Sequence, residues 1–119
     1  MTKSKELGDR GENLAANFLI KEKYRIIQRN FHSKFGEIDI IASKDGVLYF
    51  FEVKTRTPSS ITEVEESVPY KKISKIIKTA HVFLEKNAAD LHLQIKSWRI
   101  VLIGIKLGKE NTIEFIPIR

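Results

Sequence analysis

The stretch that decides the fold is Gly36–Lys54, GEIDIIASKDGVLYFFEVK. Two apolar runs flank Asp45-Gly46, a dipeptide that accepts the positive φ angles of a two-residue hairpin turn. The spacing predicts one strand over Glu37 to Ala42 and an antiparallel partner over Val47 to Lys54. The second run is almost wholly apolar until its charged end. There Glu52 and Lys54 share one face by the period of two, with Phe51 and Val53 on the other. Folding at Asp45-Gly46 brings Asp39 beside Glu52, so two carboxylates and an ammonium meet on one sheet face. Such charges at the end of a buried strand are costly to desolvate unless they pair, bind a metal or meet a substrate.

Outward from this hairpin the pattern continues in both directions. Leu7, Gly11, Leu14, Ala15, Phe18 and Leu19 recur at helical spacing and predict a first helix from Ser4 to about Glu22, followed by a strand from Tyr24 to Asn30. Thr57 to about Ser67 mixes Pro, Ser and Glu without a period and reads as a loop, its acidic end leading into a helix N-terminus. Ile73, Ile76, Ile77, Ala80, Phe83 and Leu84 trace a second helix over roughly Tyr70 to Lys86, stopped at Asn87 and Asp90. Strands over Trp98 to Ile105 and Thr112 to Ile118, around Gly108, complete an αβββαββ order. The expected class is α/β: a mixed sheet flanked by helices, with one domain spanning residues 1–119.

The 119 residues leave room for a single core, and 42% hydrophobic content with six Gly and three Pro excludes a disordered or fibrous chain. No apolar run reaches the ~18 residues needed to span a bilayer, and MTKSKELGDRGE lacks the apolar stretch of a signal peptide. A cytoplasmic protein with no membrane partner is expected. The absence of cysteine removes disulfides, thiolate zinc sites, iron–sulfur clusters and cysteine nucleophiles. With 21 Lys and Arg against 15 Asp and Glu, the net charge is +6 and the pI about 9.6. That balance suits either a solvated basic surface or a polyanionic partner.

The chemistry available is that of carboxylates and lysines. Asp39 and Glu52 form an oxygen-only set suited to a hard cation such as Mg²⁺, which keeps several waters and bridges to phosphate. Lys54 is then placed to orient or deprotonate a water, or to neutralise phosphate charge. Glu12 falls about a quarter-turn from the centre of the first helix's apolar stripe, which leaves it open between a solvated residue and a third acid. Lys71, Lys75 and Lys78 line the polar side of the second helix with Lys72 at its flank, a stripe that is either solvated or tracks phosphates. Arg56, in register with Lys54, is the better phosphate grip, and Arg10, Arg29 and Lys34 widen the basic surface. His32, His81 and His92 have no mutual metal-ligand spacing, and Ser59, Ser60 and Thr62 lack a partnered base.

Together, Glu12, Asp39 and Glu52-x-Lys54 in this element order resemble the PD-(D/E)xK nuclease superfamily with its restriction-endonuclease-like αβββαβ core, here with an added C-terminal strand. More closely, GDRGENLAANFL, the RNF of Arg29 to Phe31, GEIDIIA, FFEVKTR and ESVPYKKISKI resemble the small bacterial YraN-like family, related to archaeal Holliday-junction resolvases. The resemblance is strong over about residues 8 to 84. It implies an endonuclease using Mg²⁺ or Mn²⁺ on DNA, branched or damaged DNA included. Asp39 and Glu52 would be metal ligands, Lys54 the catalytic lysine and Glu12 a further ligand or water-positioning acid. Lys72 matches the lysine of the family's second-helix motif and joins Arg56, Arg10 and Arg29 as a candidate nucleic-acid contact. In the fourth strand this chain has Arg99, Ile100 and Val101 where the family commonly carries an acid. Glu37 matches no superfamily ligand. Two rival readings stay open: a nucleic-acid-binding module that keeps the acids without cutting, and an assembly factor or homodimer joined through the edge strand Thr112 to Ile118.

Overall fold

The computed structural model describes residues 3–57, 70–91 and 95–118. Among them run α1 (Lys3–Lys21), β1 (Arg25–Ser33), β2 (Gly36–Lys44), β3 (Val47–Arg56), α2 (Tyr70–Lys86), α3 (Ala88–Leu91), β4 (Ser97–Lys106) and β5 (Thr112–Pro117). The strands form one sheet in the order β1-β2-β3-β4-β5. All neighbours are antiparallel except β3 and β4, which run parallel because α2 carries the chain across between them. The sheet is mixed, as expected. The short α3 was not legible from periodicity. Its start and the end of α2 are both set by Asn87, whose backbone and side-chain amides each donate to the Phe83 carbonyl (3.1 and 2.9 Å) and whose own carbonyl accepts from Asp90 (3.1 Å). Most of the expected loop from Thr57 to Ser67 lies outside the described residues.

The β2–β3 hairpin turns at Asp45-Gly46 with φ of 51° and 80°, and Lys44 pairs with Val47 across it. This is the turn in which both central residues are left-handed, matching the twist of the strands it joins. β3 is nearly continuous in apolar residues because both its faces are covered. On one side Phe51 packs with Ile40, Ala42, Val101 and Ile103 beneath Ala15, Ala16 and Leu19 of α1. On the other, Leu48 and Phe50 pack with Ile41 and Ile100 beneath Ile76, Ala80 and Phe83 of α2. Phe50 and Phe51 are both essentially inaccessible, and each such burial is worth about 1.5–3 kcal/mol. Among the described residues no helix is long and apolar enough to cross a membrane.

α1 lies close against β3 at Gly11, where an added Cβ would overlap the Thr55 side chain; at Gly8, one turn earlier, nothing stands within 4 Å. The small residue at Gly11 therefore sets the distance between helix and sheet. Gly11→Ala is expected to destabilise the protein by about 1–3 kcal/mol through overpacking. Gly8→Ala, in an open helical position, is expected to stabilise it by up to about 1 kcal/mol. Thermal melts followed by circular dichroism check the pair; equal shifts would show that the approach at Gly11 is not tight.

Candidate active site

The ladder between β2 and β3 runs from Lys44↔Val47 to Ile40↔Phe51 and stops, whereas β3 stays paired with β4 as far as Arg56↔Lys106. The next rung would join Asp39 and Glu52. Instead the Asp39 carboxylate takes over the acceptor's place, and the Val53 N–H donates to its Oδ2 at 2.7 Å. β2 and β3 thus fork where the two acids stand. Glu52 follows Leu48 and Phe50 onto the α2 side of the sheet and is only 6% exposed. A carboxylate that deep requires a partner. It finds one in Lys72 of α2, whose Nζ lies 2.8 Å from its Oε1.

The sequence expectation for Lys72 was a nucleic-acid contact on the helix flank. The structure turns it inward onto the acids, half-buried, and Lys71, Lys75 and Lys78 keep the exposed side. Nothing in the sequence spacing ties Lys72 to Glu52. Only the docking of α2 on the sheet, through Ile76, Ala80 and Phe83, brings them together.

The charges at the fork act on one another. Burial, reinforced by the facing Glu52 and to a lesser extent by Glu12 and Glu37, pushes the Asp39 carboxyl up to about 7, although the Val53 amide pulls the other way. Burial and the Lys72 charge lower the Lys54 pKa, with Glu52 partly restoring it. For Lys72, burial disfavours the ammonium. The hydrogen bond to Glu52 and the charges of Glu52 and Asp39 outweigh that and raise its pKa above the usual lysine value. The fork is thus a cluster of two carboxylates and two lysines from three elements.

Glu12 comes to the rim of this cluster from α1, its side chain 13% exposed. One oxygen, Oε1, accepts from Arg29 Nε (3.2 Å), Arg29 Nη2 (3.0 Å) and Asn30 Nδ2 (3.1 Å). Arg29 also donates to Asn13 Oδ1 at 2.8 Å. Arg29, expected among the phosphate contacts, is therefore engaged in holding Glu12. Asn30 sits on β1 opposite Asp39, between the pairs Arg29↔Ile40 and Phe31↔Ile38, with a left-handed φ of 53°. Left-handed backbone costs energy outside glycine, and asparagine tolerates it best. Its place in the RNF motif was visible in the sequence, but its hydrogen bond to Glu12 was not. Asp39, Glu52 and Lys54 thus stand at the fork, while Glu12, expected as a third metal-binding acid, is held at its rim by Arg29 and Asn30. Among the described residues, no group of three or more His, Cys, Asp or Glu side chains is close enough to form a metal cage. The remaining candidates, Arg10 and Arg56, lie on α1 and at the end of β3, exposed and half-buried respectively.

Asp39 makes the stability of the metal-free protein depend on pH. Because its pKa is raised on folding from 3.8 to about 7, the native state holds a proton that the unfolded chain has released. Stability is therefore expected to fall as pH rises from about 4 to about 7, then to level off. Asp39→Asn keeps an acceptor for the Val53 amide and removes the titration. In EDTA it should match the parent near pH 4 and exceed it by about 2–4 kcal/mol at pH 8. Urea denaturation across this range measures the gap, and parallel profiles would contradict the assignment.

Comparison with known proteins gives a consistent family. Residues 11–105 match the profile described as "Uncharacterised protein family UPF0102". A UPF0102 protein of Campylobacter fetus is 45% identical over 109 residues, 92% of this chain and 88% of its own. One from a Nitratiruptor species is 43% identical over 114 residues, 96% and 92% of the two chains. A third, from Campylobacter hominis, is 39% identical over 116 residues, covering 98% and 97%. The match runs from the middle of α1 through most of β4 and includes every acid and lysine of the fork, and on it the chain belongs to the UPF0102 family, the YraN-like family that its motifs resemble.

Proposed function

We propose that this protein is a metal-dependent endonuclease hydrolysing phosphodiester bonds in DNA, a PD-(D/E)xK enzyme with a restriction-endonuclease-like core related to archaeal Holliday-junction resolvases. The observation that carries the reading is the forking of β2 and β3 at Asp39 and Glu52, with Lys54 on the same strand face. The donor set is oxygen-only and anionic, which fits Mg²⁺ or Mn²⁺ with water completing the shell. Asp39 and Glu52 would hold the ion, with Glu12 at the rim, and when bound it would supply Lewis-acid stabilisation of the phosphate and a more acidic water.

The protein's own groups fit the remaining tasks. Lys54, its pKa lowered by burial and by Lys72, releases a proton more readily than an exposed lysine and can hold or pass one beside the phosphate. Arg29 and Asn30 fix the Glu12 carboxylate by one oxygen, Oε1. Arg56, two residues beyond Lys54, is placed to grip a neighbouring phosphate.

With Mg²⁺ or Mn²⁺, cleavage of a four-way DNA junction and of linear duplex is expected, and Asp39→Asn should lower it by about a hundredfold or more. Undiminished cleavage by that variant would overturn the reading.

The Lys72–Glu52 ion pair favours a second reading, because it neutralises Glu52 without a metal ion. A nucleic-acid-binding module with the same fold would bind DNA and show no turnover. The two readings part over Lys72. If Glu52 is a metal ligand, the Lys72 ammonium competes with the ion, and Lys72→Met should tighten Mn²⁺ binding by about tenfold in calorimetry while destabilising the metal-free protein by about 1–2 kcal/mol. Mn²⁺ affinity that is unchanged by Lys72→Met, and equally unchanged by Glu52→Gln, would leave the binding module as the better description.

A further inference from the structure

We propose that the β1–β2 turn and the adjoining side of α2 form a guide for a nucleic-acid strand, with Lys34, Lys75 and Lys78 holding backbone phosphates beside the Glu52–Lys72 site. The inference rests on the nucleic-acid reading above and extends it to residues outside the acid cluster.

The turn is fastened to α2 by hydroxyls. Ser33 Oγ accepts from the Phe35 N–H (3.0 Å) and lies 3.0 Å from Thr79 Oγ1, which donates to the Lys75 carbonyl (2.9 Å). Thr79 is fully buried, so this connection is shielded from water. An added Cβ on Gly36 would lie 3.6 Å from the Lys75 Cβ, which shows how closely turn and helix meet.

This fastening gathers positive charge. The ammonium groups of Lys34, from the turn, and Lys78, from α2, lie 5.2 and 5.7 Å from the centroid of the same Phe35 ring. An exposed cation–π contact contributes only about 0.5–1 kcal/mol. Among the described residues none of Lys34, Lys75 and Lys78 forms an ion pair. Glu37 of the same hairpin faces His32 instead, at 3.9 Å. Two ammonium groups therefore share one aromatic ring and neither is ion-paired among the described residues, an arrangement that a polyanion relieves.

The geometry selects the polyanion. Lys72, Lys75 and Lys78 occupy one i, i+3, i+6 row of α2, a ridge that winds from the acid fork to the Phe35 turn. Its two ends are separated by about 9 Å along the helix axis. That is the rise of about two to three nucleotides of one strand. A strand that runs along the ridge with one phosphate at the fork would carry its next phosphates past Lys75 and Lys78. A lipid surface is the poorer fit: the large apolar side chains exposed among the described residues are Ile20 and Ile27, on α1 and β1, and neither adjoins this turn in sequence.

The test is fluorescence anisotropy of a labelled DNA duplex and single strand with the full-length protein in EDTA, where binding is read without cleavage. Lys34→Gln/Lys78→Gln should weaken binding at least tenfold at low salt and make the slope of log K against log salt shallower by about 1.8 for the duplex and about 1.4 for the single strand. Lys21→Gln/Lys109→Gln, which removes the same charge elsewhere, should change it far less. Loss confined to the first variant supports the guide even if no cleavage is ever seen, in which case the nuclease reading alone falls. Equal effects of the two variants, or no DNA binding by the parent, would overturn it. So would displacement of DNA by polyglutamate at equal charge concentration.

Discussion

The architecture turns on one electrostatic constraint: a carboxylate, Glu52, is buried at the point where two strands of a five-stranded sheet part. Continued pairing of β2 with β3 would have used the Val53 amide in the ladder, and the Asp39 side chain accepts from it instead. That substitution brings a second acid to the first. The cost appears as the elevated Asp39 pKa, and part of the compensation comes from Lys72 and Lys54. A fold serving only its own stability would fill such a position with an apolar side chain, which is commonly neutral or stabilising relative to a buried ion pair. Retaining charge there is the feature that asks for a function.

The remaining elements support the fork in different ways. β4 runs parallel to β3 along its whole length and keeps Glu52 and Lys54 in register after β2 has left. α1, let in close by Gly11, brings Glu12 to the rim, where Arg29 and Asn30 of β1 orient it. α2 has two roles on one helix. Its apolar stripe closes the second core, and its lysine row passes from Glu52 out to the β1–β2 turn. The site therefore draws on α1, β1, β2, β3 and α2, and the family match over residues 11–105 includes all of its acids and lysines.

The hairpin and its acids could be read directly because they are local. Asp45-Gly46 specifies a left-handed turn, and a period of two then dictates which residues share a face with Glu52. The second helix could be read from Tyr70 to Lys86 because its isoleucine stripe has a clear helical period. By contrast, α3 has four residues and no period to detect. The pairing of Glu12 with Arg29 and Asn30 spans more than fifteen residues of sequence, and its geometry depends on how α1 settles on the sheet.

What the sequence determined by itself, then, was the order of the two long helices and five strands, the apolar character of β3 and the placing of Asp39, Glu52 and Lys54 on one sheet face, since these follow from turn chemistry and short-range periodicity. Tertiary structure alone decided that Lys72 turns inward to Glu52, that Arg29 is engaged by Glu12, and that Lys34 and Lys78 approach the same Phe35 ring. A lysine on a helix flank has no local preference for one partner. Its choice is made by packing, when the helix docks and the nearest buried charge needs neutralising.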